Sequence, residues 1–294
     1  MVQKPGIGRL VFVVLNYTFL IGLALLCLLP LIHVLAVSFS SSAAAMGGLV
    51  VLWPVDFTAS AYKFALQKPE FLTALLVTIK RVLLGTALSM FLTILTAYPL
   101  AKEKTKFRWR TVYAWVFVLT MLFHGGLIPW YMTIKSLGML NSIWALVLPG
   151  AVPVFNVILL LNFYRGLPKE LEESAFMDGA GHWTTLWRIY VPLSLPALAT
   201  IGLFTIVGHW NSWFDGLILM NSPENYPLQS YLRTIIVGQD LTMLTTTDLS
   251  LLNELSERTV KTSQIFLGAL PILLVYPLLQ RFFIKGIVMG SVKG

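Results

Sequence analysis

The chain is 294 residues long, 57% apolar and 12% charged, whereas a soluble domain carries about 45–50% apolar and about 25% charged residues. A mean hydropathy of +0.78 excludes disorder and argues against a soluble enzyme, because so few charges cannot cover the surface of so apolar a core. The net charge of +8 would suit nucleic acid, but its placement points to a membrane. The lone cysteine, Cys27, leaves no disulfide framework and no cysteine-based zinc site.

Six apolar stretches follow in chain order, each near the roughly 20 residues a bilayer requires. The first, 10–39, carries no formal charge and is preceded by Lys4 and Arg9. It is too long for a signal-peptide core of about 7–15 residues, so a retained anchor is expected despite the cleavage-like Ala43-Ala44-Ala45. The segment 40–70, with Trp53-Pro54 and Tyr62, reads as an interfacial, partly helical stretch. The second span is 82–101, or begins near Phe71, with Lys80 and Arg81 at its outer end. Two readings of that pair stand: attraction of an acidic solute, or snorkelling toward lipid headgroups. Spans three and four are 111–128 and 143–164. A cytoplasmic loop, 166–192, leads to span five, 196–220. A polar outer segment with Pro223, Pro227 and Thr245-Thr246-Thr247 precedes span six, 263–284. The expected fold is an all-α membrane protein: a single domain, 1–294, of six transmembrane helices.

Orientation follows from charge. With the N-terminus inside, 13 of the 21 Lys and Arg are cytoplasmic, led by Lys102, Lys104, Lys106, Arg108 and Arg110. Five acids accompany them, so the whole excess charge lies on one side, as the positive-inside bias requires. Both termini are expected in the cytoplasm.

No Gly-Lys dipeptide occurs, so there is no phosphate-binding P-loop. His33, His124, His182 and His209 include no i, i+4 pair for zinc. No catalytic or metal constellation emerges. Polar residues within spans are costly and often line a cavity; His124, Asn156, Asn162, His209, Asn211 and Asp215 are such residues. Trp130, Trp210 and Trp213 could stack on a ring-shaped solute, and Gly125-Gly126 with Pro129 weaken a helix end at membrane depth. The other reading is that the polar groups join helices and the tryptophans sit at the interface.

The loop 166–192 is the most informative segment. Pro168 suits a first helical position, Glu170, Glu172 and Glu173 complement a helix N-terminus, and Gly179 is a terminator. A short helix over about 168–178 is expected. Ser174, Ala175 and Gly179 would give it a small-residue surface. Asp178 opposes the helix dipole, so it should cap the next helix or meet a basic group. Trp183, Leu186, Trp187 and Tyr190 give a second short helix one apolar face, before Pro192 and Pro196 break the chain. The hairpin is either an interfacial amphipathic element or a docking element.

Glu173-Ser174-Ala175, three residues, Gly179, nine residues, then Ile189, Tyr190 and Val191-Pro192 resembles the EAA loop of permease subunits of binding-protein-dependent ABC importers. It departs from that pattern at Ser174 and Val191, where the family has Ala and Leu. Gly125-Gly126-Leu127-Ile128-Pro129, Leu148-Pro149-Gly150-Ala151, Gln280-Arg281-Phe282-Phe283-Ile284-Lys285-Gly286 and Gly290-Ser291-Val292-Lys293-Gly294 are similar to carbohydrate-importer permeases, and Leu52-Trp53-Pro54 to the branch importing alginate or polygalacturonan fragments. The resemblance spans almost the whole chain.

The resemblance implies a multi-pass subunit of the bacterial inner membrane. Its partners would be a second permease, two ATP-binding subunits and an extracytoplasmic solute-binding protein. ATP and Mg²⁺ would sit on the ATPases, with no cofactor on this chain. Glu172, Glu173, Ser174, Ala175, Asp178, Gly179 and Ala180 would couple to an ATPase cleft. Gly125, Gly126, Trp130, Asn156, His209, Trp210, Asn211, Trp213 and Asp215 are the substrate-path candidates. The tail after Lys285 would touch the ATPases or form a solvated basic end. Alternatives are a permease for a neutral sugar or other solute, a membrane-embedded enzyme or scaffold subunit, and a passive channel.

Overall fold

A chain apolar on every side forms helices wherever proline and glycine permit, because only internal hydrogen bonding satisfies its backbone in lipid. The computed structural model describes residues 7–103, 107–237 and 256–291. Lys4, Lys104, Lys106, Lys293 and the run 245–247 lie outside the described residues, as do the side chains of the basic tail. In chain order the helices are α1 (Ile7–Ser38), α2 (Ser42–Met46), α3 (Ser60–Gln67), α4 (Pro69–Ala101), α5 (Arg110–Leu122), α6 (Leu127–Ser136), α7 (Ile143–Val147), α8 (Val154–Arg165), α9 (Lys169–Met177), α10 (His182–Thr185), α11 (Val191–Leu193), α12 (Leu195–Asn211), α13 (Phe214–Leu219), α14 (Leu228–Val237) and α15 (Glu257–Ser291). A π-helical turn, Leu186–Tyr190, joins α10 to α11. No strand occurs among the described residues.

The chain divides into two compact units, 1–69 with 235–270 and 70–234 with 271–294. In the first, α1 buries only Ala36, Val37 and Ser38 of its 32 residues. Ser41 caps α2 by accepting from the Ala44 N–H at 3.3 Å. Ala36, Val37, Ala44, Ala45 and Val50 then form a small core. The segment 40–70 is partly helical, and Phe39 stacks on Phe57 and Tyr62 there. Burial raises the Tyr62 pKa, and its hydroxyl lies 2.7 Å from Ser38 Oγ. Arg258 Nη1 donates to the Ala45 carbonyl at 3.0 Å and Ser263 Oγ to that of Ala61 at 3.3 Å.

In the second unit, α4 buries a stripe of Phe71, Ala74, Thr78, Arg81, Gly85, Ser89, Thr93, Ala97 and Leu100. Small and polar residues mark the packed side, as expected where lipid accepts large apolar groups as readily as protein does. Ile94 and Tyr98 of α4, Leu160 and Tyr164 of α8, Leu186, Tyr190, and Ile201 of α12 form the main core. A second cluster holds Ile134, Ala145, Leu146, Leu219 and Met220. Beside it Asn141 (φ 58°) ties two loops together: its Oδ1 accepts from the N–H groups of Asn221 and Ser222.

Several expected spans are broken. Only α1 and α4 are long and apolar enough to cross a bilayer alone among the described residues, and up to four spans result if each bent pair counts as one. The stretch 111–128 is α5 and the start of α6, bent by 112° at Gly125-Gly126, where Gly126 has φ 92°. The stretch 143–164 is interrupted between α7 and α8, because Pro149 and Pro153 cannot continue a helix. The stretch 196–220 breaks at Ser212-Trp213. By contrast α4 extends back to Pro69, and α15 runs from Glu257.

Candidate functional site

Helix α9 is built as a short, stiff peg. Pro168 sits at its N-cap with extended ψ rather than at the first helical position. Glu170 and Glu172 occupy the first turn and favour it electrostatically. At the other end Gly179 takes φ 81°, its N–H donates to the Phe176 carbonyl at 3.0 Å, and the Ala180 N–H donates to Ala175 at 2.9 Å. Those two bonds are a Schellman termination, which needs a residue free to adopt the left-handed conformation.

The faces of α9 correct the expected small-residue surface. Glu172 and Ala175 are buried against the chain itself, while Glu170, Glu173, Ser174 and Met177 form an exposed stripe at i, i+3, i+4, i+7, with Met177 88% exposed. Asp178 is exposed and bonds to no described basic group, and α10 begins at Gly181 without a side-chain cap. Asp178 therefore does not cap the next helix: the Schellman turn faces its carboxylate outward. In the following hairpin Leu186 and Tyr190 are buried but Trp183 is exposed, because the π turn rotates the expected apolar face. His182 Nδ1 lies 3.2 Å from the Tyr98 hydroxyl.

Beneath α9 lies a feature that sequence reasoning missed. Lys102 extends from the end of α4 into a buried position, and its Nζ donates to Glu172 Oε2 at 2.7 Å and to Tyr190 OH at 3.2 Å. The Tyr190 hydroxyl donates to the same carboxylate oxygen at 2.7 Å. The ammonium also lies over the rings of Tyr98 (3.8 Å) and Tyr190 (4.2 Å). Charge, hydrogen bonds and two π faces compensate a cation that burial would otherwise disfavour. The cluster fastens α9 and the π turn to the end of α4. At its exposed edge Lys169 pairs with Glu103, which raises the lysine pKa. In the sequence Lys102 reads as the first residue of a basic cytoplasmic run, and nothing there sets it apart as buried or names its partner.

A second cluster lies in the N-terminal half of α4. Arg81 is buried (3% exposed) and forms a two-pronged ion pair with Asp215, Nη1 donating to Oδ1 at 3.1 Å. Asp215 Oδ1 also accepts from Ser212 Oγ at 2.8 Å and the Gly216 N–H at 2.9 Å. The His209 ring packs on Gly85, where an added Cβ would lie 2.6 Å from Cε1. Arg81 therefore neither snorkels nor offers free charge to a solute; Asp215 neutralises it. Lys80 is exposed.

Of the path candidates, the structure brings His209 and Asp215 together around Arg81. Asn156 is buried and donates from Nδ2 to Thr205 Oγ1 at 3.1 Å, joining α8 to α12. Trp210 is buried, and Trp130 packs on the second apolar cluster. Gly125, His124, Asn162 and Asn211 are exposed, and Gly126 forms the α5–α6 bend. Trp213 is 40% exposed with the Arg233 guanidinium 5.2 Å from its ring centre, a pair not anticipated. Among the described residues no three His, Cys, Asp or Glu side chains group as a metal site.

Broken apolar helices around buried polar joints, with an acidic peg anchored at one end of them, fit a membrane transport component, and the comparisons with known proteins show that class. The chain belongs to the family of binding-protein-dependent transport system inner membrane components, which matches residues 69–288. It is 42% identical over 288 residues to protein LplC of Bacillus subtilis (strain 168), covering 98% of this chain and 96% of LplC. It is 40% identical over 283 residues to the polygalacturonan/rhamnogalacturonan transport system permease protein YtcP of the same organism, covering 96% and 98%. Its fold matches a chain in the crystal structure of a bacterial ABC transporter involved in the import of the acidic polysaccharide alginate, with a TM-score of 0.87 and 33% identity over 96% of this chain and 99% of that one. Members are permease subunits of ABC transporters, not enzymes, and an importer of this kind generally combines a partner permease, ATPase and solute-binding protein.

Proposed function

We propose that this chain is the permease subunit of an ATP-driven importer of acidic oligosaccharides, alginate or pectin fragments, delivered by a solute-binding protein. The observation that carries the coupling role is α9: one face, Glu172 and Ala175, is locked to the chain, and the opposite stripe, Glu170, Glu173, Ser174 and Met177, is exposed. In this reading α9 is the EAA coupling helix, and Glu173, Ser174, Asp178, Gly179 and Ala180 meet the ATPase. Glu172 and Ala175 hold the helix in place instead. ATP and Mg²⁺ belong to two partner ATPase subunits, and this chain binds no cofactor.

The same reading takes the chain as one transmembrane domain of six spans with both termini cytoplasmic. The breaks in spans three to five then lie along the pathway, where irregular backbone is tolerated because it faces a cavity. Acidic substrates are supported by the similarity to the polygalacturonan/rhamnogalacturonan permease and to the alginate transporter. Trp213 beside Arg233 supports them chemically: an aromatic face for a sugar ring and a cation for its carboxylate. Gly125, Gly126, Trp130, His209, Trp210 and Asn211 remain path candidates, with Asn156 and Asp215 as supports.

The test is ATPase activity of the assembled complex in liposomes, with binding protein loaded or empty. Stimulation by binding protein carrying alginate or polygalacturonate oligosaccharides is expected. Stimulation by neutral sugars alone would remove the acidic-substrate reading, and absence of any ATPase from the purified complex would overturn the coupling role of α9.

A further inference from the structure

The end of α4 that carries Lys102 also holds two further cations. Arg110, the first residue of α5, donates from Nη1 to the Lys102 carbonyl at 2.6 Å. Arg165, the last residue of α8, donates from Nη2 to the Leu100 carbonyl at 3.2 Å. These carbonyls are the acceptors that a helix C-terminus leaves unpaired, so each arginine is fixed from one side by a group that favours a cation. A guanidinium has five N–H donors, so most of that capacity is left over. Among the described residues neither arginine meets a carboxylate. Both line one cavity of about 220 Å³, and their charges act on one another.

The remaining wall of that cavity is Thr111, Ala114, Trp115 and Val118 of α5. Trp115 is 67% exposed, and Val116, Leu119 and Leu122 beyond it are exposed as well. The site therefore presents two guanidiniums without a described counter-charge at its head, a tryptophan one turn further along α5, and a continuous apolar helix face leading away; tryptophans favour such a place between headgroup and acyl chain. An inorganic anion would satisfy the arginines and leave the apolar wall bare. A zwitterionic lipid such as phosphatidylcholine would cover the wall but bring a quaternary ammonium with its phosphate, adding no net charge against the two arginines.

We propose that the groove between Arg110 and Arg165 is a binding site for an anionic phospholipid, its phosphate held by the two guanidiniums and an acyl chain lying along Trp115 and Val118. Basic pockets between membrane helices recognise acidic headgroups in this way. The site requires only that the chain is embedded in a membrane, so it stands whatever solute the complex carries.

The test uses the assembled complex, exchanged from detergent into vesicles of phosphatidylglycerol, phosphatidylcholine or an equal mixture, and the lipid that remains after delipidating washes is quantified by mass spectrometry. About a 30-fold preference for phosphatidylglycerol over phosphatidylcholine is expected, roughly 2 kcal/mol for two basic side chains. An Arg110→Gln/Arg165→Gln variant should lose that preference, and Arg110→Lys/Arg165→Lys should keep most of it, which separates lost charge from lost folding. Excess inorganic phosphate should not displace the lipid. No preference in the unmodified complex, equal retention in the glutamine variant, release by inorganic phosphate, or protection of both arginines from modification by a partner subunit without lipid would each overturn the assignment.

Discussion

Separating Lys102 from Glu172 should loosen α9 more than any change on its exposed face. Both side chains are over nine-tenths buried, so solvent screens their pairing little, and removing one partner of a buried pair costs about 3–5 kcal/mol because the other charge is stranded. The two sides differ. With Glu172→Leu the ammonium keeps the Tyr98 and Tyr190 rings and the Tyr190 hydroxyl; two π faces at roughly 0.5–1 kcal/mol each reduce the loss to about 1–4 kcal/mol. With Lys102→Met the carboxylate keeps the Tyr190 hydroxyl, and the loss should be about 3–5 kcal/mol. The double variant removes both charges and should recover about 1–3 kcal/mol of the summed loss. Thermal inactivation of the purified complex would measure stability across this cycle, and sugar transported per ATP hydrolysed would measure coupling. Both should fall in the single variants. Additive losses across the cycle, or single variants as stable and as coupled as the unmodified protein, would refute the assignment of this pair as the anchor of α9.

Three further outcomes follow from the geometry. Arg81→Gln or Asp215→Asn should each destabilise the complex by about 2–4 kcal/mol, at the lower end for a buried pair because Asp215 is partly exposed; an unchanged melting point for Arg81→Gln would favour snorkelling. Gly85→Ala should cost about 1–3 kcal/mol by driving a methyl group into the His209 ring, and His209→Ala should relieve it in the double variant, as a thermal-shift comparison would show. Gly179→Val should place a β-branched residue at φ 81° with no neighbour within 4 Å of its Cβ, costing roughly 1–2 kcal/mol locally. The subunit should still insert, while uptake per ATP falls; normal uptake in vesicles would refute a close approach at that position.

Local chemistry was legible wherever it acts within a few residues. Pro168 and Gly179 bracket α9, and Gly125-Gly126 and Pro192 with Pro196 mark the bends of 112° and 81°. The helix breaks inside the expected spans have the same root. A hydropathy run registers composition and not backbone continuity, so 143–164 reads as one span although α7 and α8 are separate helices. The inward turn of Ala175 was illegible because a small residue fits a docking surface and a helix–chain contact equally well; Lys102 decides it, and Lys102 is 70 positions away from Glu172.

The buried pairs were illegible for a physical reason that also explains why they matter. In water an amphipathic stripe announces which helix face is packed, but α4 is apolar all round and its packed face carries Thr78, Arg81, Ser89 and Thr93 instead. A charge on such a face is intolerable without a partner, so Arg81 implies an acid and Asp215, in a predicted span, implies a base. Each was recognisable alone, as a cation out of place and an acid at membrane depth. Only the fold shows that 134 positions of chain close between them. The same reasoning applied to Arg110 and Arg165 finds two cations on one cavity and no described acid, which is why their missing counter-charge is sought in the lipid.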